Sequence, residues 1–118
     1  MVTGVGADII EVDRIRLSLD RHPGFRDRVL TPSEQEICFS CGDPAERVAG
    51  RFAAKEAVAK ALGRSFHWRD VEILADERGK PVVKLHNGAS STAGECTVMV
   101  SISHCQTYAV AYAVAVLE

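Results

Sequence analysis

The chain has 118 residues, the size of one domain, and its 47% hydrophobic and 25% charged residues suit a folded core. That composition excludes a disordered tail, a collagen-like chain and a coiled coil. A net charge of −2, from 14 Lys and Arg against 16 Asp and Glu, disfavours a strongly basic nucleic-acid binder. No apolar run approaches the roughly 18 residues of a membrane helix. No basic start precedes an apolar stretch at the N-terminus, so no secretory signal is expected. Cys38, Cys41, Cys96 and Cys105 therefore read as reduced thiols of a cytoplasmic protein.

Residues 3–8 predict a first short strand, with Val5 between two glycines. A helix is expected over 9–22, where Ile9, Val12, Ile15 and Leu19 form one stripe, ended by Pro23 and Gly24. Thr31, Pro32 and Glu34 predict a second helix start: a cap, a first-position proline and a capping-box acid. That helix fades near Cys41 and Gly42. Asp43 and Pro44 start a longer, Ala-rich helix to Leu62, with Gly63 where a C-terminal cap belongs. The period then changes. Strands are predicted over 71–75 and 82–86, joined by a hairpin loop at 76–81, and over 97–104 and 108–117. Residues 87–95 read as a Gly/Ser/Ala loop with at most a short helical turn. The fold class is α+β: helices in the first half packed on an antiparallel sheet from the second.

Five stretches could carry chemistry. On the long helix Phe52, Glu56 and Lys60 share a face, as do Arg51 and Lys55. An exposed Glu–Lys pair is the plain reading; a carboxylate and an ammonium one turn apart also suit phosphate chemistry with Mg²⁺. Asp8 follows Gly4 and Gly6. It reads either as the cap of the next helix or as a carboxylate where glycines let a ligand approach, and with Glu56 it would make a two-ligand Mg²⁺ site. His104 ends the apolar face of a strand and is either a rim residue or a phosphate or ribose contact. Arg14, Arg21 and Arg28, with Arg16, Arg26 and Phe25 among them, form either a solvated face or a dock for an acidic protein. Cys38 and Cys41 form a lone C-x-x-C, weak evidence for zinc because Cys96, His104 and Cys105 complete it only at irregular spacing.

Several runs occur together in one order: Gly4-Val5-Gly6 with Asp8-Ile9-Ile10-Glu11, Gly50-Arg51-Phe52-Ala53-Ala54-Lys55-Glu56-Ala57, and Lys60-Ala61-Leu62-Gly63. Asp70-Val71-Glu72-Ile73, Gly79-Lys80-Pro81, and Val100-Ser101-Ile102-Ser103-His104 with Tyr108-Ala109 follow. With these runs, which cover nearly the whole chain, the sequence resembles the holo-[acyl-carrier-protein] synthases, the small bacterial type of 4′-phosphopantetheinyl transferase. The resemblance implies one transferase domain over 1–118. It implies transfer of the phosphopantetheine arm of coenzyme A to a serine of apo acyl carrier protein, with release of adenosine 3′,5′-bisphosphate, in support of fatty acid biosynthesis. It implies Asp8 and Glu56 as Mg²⁺ ligands, Lys60 on the coenzyme A phosphates, and Arg51, Gly63 and His104 as further coenzyme contacts. Arg14, Arg21, Phe25 and Arg28 would dock the acidic carrier. Glu56 is the first candidate for the base and Asp8 the second.

The resemblance further implies a homotrimer with sites between protomers, the Asp8 and Glu56 carboxylates coming from neighbouring chains, and a last strand buried against other chains. One departure stands out. Where the family commonly carries a Gly-rich loop, this chain has only the shorter, bulkier Arg64-Ser65-Phe66-His67-Trp68-Arg69, in which Arg64 is a candidate phosphate contact. Rival readings are a non-catalytic coenzyme A- or carrier-binding module, a zinc-stabilised interaction protein, and a broad-specificity transferase. Members of the last group are about twice as long, as two fused halves.

Overall fold

A computed structural model describes residues 1–40 and 42–118. In chain order the elements are β1 (Val2–Glu11), α1 (Val12–Arg21), α2 (Phe25–Val29), α3 (Pro32–Cys38) and α4 (Pro44–Leu62). A 3₁₀ turn (Trp68–Asp70), β2 (Val71–Ala75), β3 (Pro81–Leu85), α5 (Asn87–Ala93), β4 (Thr97–His104) and β5 (Tyr108–Val116) follow. The α+β expectation stands, with one change of organisation. The strands form two antiparallel sheets, β1-β5-β4 and β2-β3, and the first takes an edge strand from the N-terminus.

The first helix begins at Val12, and Ile9 and Ile10 belong to β1, where they pair with Val110 and Ala109. The helical spacing of Ile9 with Val12 is outweighed by period-2 alternation along β1: Gly4, Gly6, Asp8 and Ile10 turn inward while Val5, Ala7 and Ile9 turn out. Other local signals act as expected. Thr31 Oγ1 accepts from the Glu34 N–H at 3.2 Å, while Glu34 Oε1 accepts from the Thr31 N–H at 2.9 Å, a complete capping box. Asp43 caps α4, with Pro44 in its first turn. Gly63 ends it at φ 79°, a left-handed conformation that glycine adopts without Cβ strain. Residues 87–93, expected mainly as loop, form the short helix α5.

Helix α4 lies across the inner face of the β1-β5-β4 sheet, and small residues set its depth. Gly50, Ala53, Ala57 and Ala61 of the helix are buried, as are Ala109, Ala111, Ala113 and Ala115 of β5. The two glycines of β1 take the closest approach. A Cβ built on Gly4 would lie 1.9 Å from the Ala61 carbonyl oxygen, and one on Gly6 2.0 Å from that of Ala57. The partner that needs those glycines is thus the helix backbone. Gly6→Val must push α4 off the sheet, and a loss of about 3 kcal/mol is expected in urea unfolding. Gly24→Ala, where nothing lies within 4 Å of an added Cβ, should leave the midpoint unchanged.

On the opposite side of α4 a buried polar network joins it to α3 and β2. Lys55 Nζ donates to Glu34 Oε1 at 2.8 Å, to the Trp68 carbonyl at 2.9 Å and to the Val71 carbonyl at 2.6 Å. Glu34 Oε2 accepts the Ile73 N–H at 2.8 Å. Glu34 and Lys55 side chains are 0% and 2% exposed. Burial pulls the Lys55 pKa below its ordinary value, and the Glu34 carboxylate opposes that pull without cancelling it. Glu72 extends the network, accepting from Thr31 Oγ1 at 2.5 Å and lying 3.0 Å from His86 Nε2.

Candidate active site

Because Gly4, Gly6 and Asp8 share the inward face of β1, Asp8 is carried onto α4 one step beyond the glycine contacts. There Lys60 Nζ lies 3.4 Å from Asp8 Oδ1 and donates to the Ala7 carbonyl at 2.9 Å. Glu56 sits one helical turn before Lys60. One chain therefore supplies Asp8, Glu56 and Lys60 together. The expectation that the two carboxylates come from neighbouring chains is not needed to bring Asp8 to the helix that carries Glu56. Asp8 does not cap α1, whose N-cap is Glu11 with no side-chain cap bond. Gly63 closes the helix just past Lys60 and is exposed.

Arg51 and His104 meet elsewhere. They line a cleft of about 190 Å³ with Arg47, Gly50, Gly79 and Pro81. Arg51 Nε donates to the Ile73 carbonyl at 3.3 Å, and His104 Nδ1 lies 3.8 Å from Glu46 Oε1. Arg51 and Glu56 are five residues apart on one helix, so they project about 140° apart around its axis. The candidate metal ligands and coenzyme contacts are thus split between two faces of one chain: Asp8, Glu56, Lys60 and Gly63 on one, Arg51 and His104 on the other. Arg47, one turn before Arg51, was missed by sequence reasoning, although its four-residue spacing from Arg51 was a usable signal.

The short segment after Gly63 forms walls. Ser65, Phe66, His67 and Trp68 line a cleft of about 240 Å³ together with Lys55, Glu56, Ala59 and Val71. Arg64, Ser65, Phe66 and His67 also border a neighbouring cleft of about 440 Å³ with Ser91 and Thr92 of α5. Trp68 stacks on Phe52 at 4.5 Å between ring centroids, and Phe52 in turn on Phe25 at 6.4 Å. Phe25 is 8% exposed, so it corrects the expectation of a docking ring: its side chain is spent on packing α2 against α4. Arg14, Arg21 and Arg28 are exposed, and among the described residues no ion pair takes them up. Arg16 pairs with Asp13 and Asp43, and Arg26 lies 3.8 Å over the Phe39 ring.

Among the described residues no three His, Cys, Asp or Glu side chains cluster to hold a metal. Cys38 is buried, and burial pushes its thiol up to about 11. Cys41 lies outside the described residues. No helix is long and apolar enough to cross a membrane among the described residues.

The outer face of the β1-β5-β4 sheet is the other prominent surface. The register stacks Val5, Val114 and Met99 in one row, Ala7, Tyr112 and Ser101 in the next, and Ile9, Val110 and Ser103 in a third. Val5, Ile9, Met99 and Tyr112 are each at least half exposed. The last strand is thus two-sided: its alanines are buried inside the chain, and its valines and tyrosines face out.

Comparison with known proteins places this geometry. The chain is 46% identical over 122 residues to the holo-[acyl-carrier-protein] synthase of Alkaliphilus oremlandii, covering 98% of this chain and 100% of that one. It is 48% identical over 120 residues to that of Clostridium novyi, covering 97% and 87%. The crystal structure of the Bacillus anthracis synthase in complex with CoA (3′,5′-ADP) superposes with a TM-score of 0.83 at 39% identity, covering 98% of this chain and 96% of that one. The Helicobacter pylori synthase in complex with coenzyme A superposes with a TM-score of 0.85 at 30% identity, covering 95% and 99%. The family model of the 4′-phosphopantetheinyl transferase superfamily matches residues 4–113, and this chain belongs to that superfamily.

Proposed function

We propose that this chain is a holo-[acyl-carrier-protein] synthase: a single transferase domain that moves 4′-phosphopantetheine from coenzyme A to a serine of apo acyl carrier protein. The observation that carries the reading is the contact of Asp8 with Lys60 across β1 and α4, with Glu56 one helical turn before Lys60. Two carboxylates beside an ammonium are a donor set for a hard cation completed by phosphate oxygens, and they fit Mg²⁺. When bound there, Mg²⁺ supplies Lewis-acid stabilisation of charge on the phosphoryl oxygens.

The serine hydroxyl attacks the phosphorus nearer the pantetheine. The bond from that phosphorus to the bridging oxygen breaks, and adenosine 3′,5′-bisphosphate leaves with the electron pair. Glu56 takes the hydroxyl proton. Lys60, half exposed and anchored to Ala7 and Asp8, turns its ammonium to the phosphate oxygens and offsets their growing charge.

The second half of the site comes from a neighbouring chain. Arg51 and His104, with Arg47, bind the nucleotide end of coenzyme A and face away from the Glu56 of their own chain. A homotrimer built on the exposed rows of the β1-β5-β4 sheet brings the two halves together. The free thiols of Cys38, Cys96 and Cys105 support work in the cytoplasm.

Arg14, Arg21 and Arg28 form the dock for an acidic carrier. Reversing all three to Glu should raise KM for the carrier at least about tenfold and leave KM for coenzyme A unchanged, and wild-type loading should slow with added salt. Equal KM values for the carrier in steady-state assays would remove this surface from docking. The reading as a whole is tested by the mass of the carrier after incubation with the chain, coenzyme A and Mg²⁺.

A further inference from the structure

The cleft beside Glu56 has one wall made by a chain segment with no regular structure of its own from Arg64 to His67. Such a segment needs anchors to present a fixed surface. Two are visible. The Trp68 ring is stacked on Phe52, one turn before Glu56. The backbone is held from behind by Lys55, whose three hydrogen bonds reach Glu34 and the Trp68 and Val71 carbonyls. The transfer mechanism does not use Lys55, which borders the cleft but is 2% exposed, with its ammonium taken up by those three bonds. Its ammonium nonetheless connects the helix carrying Glu56 to the opposite wall of the same cleft.

Resting on the transferase reading, we propose that Lys55 is a positioning residue for coenzyme A: it clamps the Trp68–Val71 backbone to α4, so that Phe66, His67 and Trp68 form a preset wall for the coenzyme held at Glu56. A preset wall contributes equally to substrate and transition-state binding, so its loss raises KM and leaves kcat nearly alone. A merely structural role would lower the active fraction, and hence kcat, with KM intact.

Trp68 is the only tryptophan of the chain, so its emission reports this wall alone. In the wild-type trimer, saturating coenzyme A should shift Trp68 emission and reduce its quenching by acrylamide. In Lys55→Met, and in Lys55→Met/Glu34→Gln, which removes both buried charges and is the better folded of the two, KM for coenzyme A should rise about tenfold. With it, kcat should stay within about threefold and Trp68 should become more open to acrylamide. Unchanged Trp68 emission on coenzyme A binding to wild type overturns the proposal. So does an unchanged KM in the folded double variant. A wild type whose Trp68 responds to coenzyme A but which loads no carrier would keep the wall and overturn the transferase reading instead.

Discussion

Replacing Glu56 by alanine is expected to lower carrier loading by at least about a thousandfold, roughly 4 kcal/mol of transition-state stabilisation. In the proposed mechanism the loss has two sources that one carboxylate supplies: half of the donor set for the cation, and the acceptor for the serine proton. Glu56→Gln keeps the size but neither function, and should lose nearly as much. Asp8→Asn, which keeps the place beside Lys60 but weakens one ligand, should lose about a hundredfold, partly recovered at high Mg²⁺. Lys60→Ala should lose rate without changing the metal requirement. Steady-state loading at several Mg²⁺ concentrations separates these cases. A Glu56→Ala variant within tenfold of wild type would show that the proton acceptor and the cation donors lie elsewhere.

The second large effect is on stability. Lys55→Met leaves the Glu34 carboxylate fully buried without its cation, and leaves the Trp68 and Val71 carbonyls without their donor. Breaking one side of a buried ion pair costs about 3–5 kcal/mol. For a chain of this length that lowers Tm by about 10–20 °C. The cost is mainly that of stranding Glu34, so adding Glu34→Gln should return part of it. The return is incomplete because an amide has one acceptor oxygen, while Glu34 accepts the Thr31 and Ile73 N–H groups through both of its oxygens. Thermal unfolding of the two variants at equal concentration measures the difference. A Lys55→Met protein that melts within about 3 °C of wild type would mean that Glu34 finds other partners.

How far the sequence carries can be seen residue by residue. Thr31, Glu34, Asp43 and Gly63 were readable because a cap and its partner lie within one turn, and local chemistry decides them. Asp8, Glu56, Lys60, Arg51 and His104 were readable as candidates, since their runs resemble a known family. Their partition was not readable. Whether Asp8 meets its own Glu56 or a neighbour's depends on how deeply α4 sits on β1, and that depth is set by Gly4 and Gly6 against carbonyls more than fifty residues away. Phe25, an aromatic in the turn among arginines, reads as exposed, whereas its ring is covered by Phe52 of another helix. Lys55 was invisible for the same reason. It sits beside Glu56 in an Ala-rich helix and reads as solvated, while the carboxylate that buries it is 21 residues away. Ile9 fits both the helical and the strand period, and only pairing with β5 decides between them.

The intact mass of an apo acyl carrier protein tests the transfer reaction most directly. Incubated with this chain, coenzyme A and Mg²⁺, the carrier should gain about 340 Da, the mass of one phosphopantetheine group. The gain should vanish with a chelator or with Glu56→Ala. A carrier that keeps its mass, under conditions where the chain still binds coenzyme A, would contradict the transferase reading and leave a coenzyme-binding module in its place.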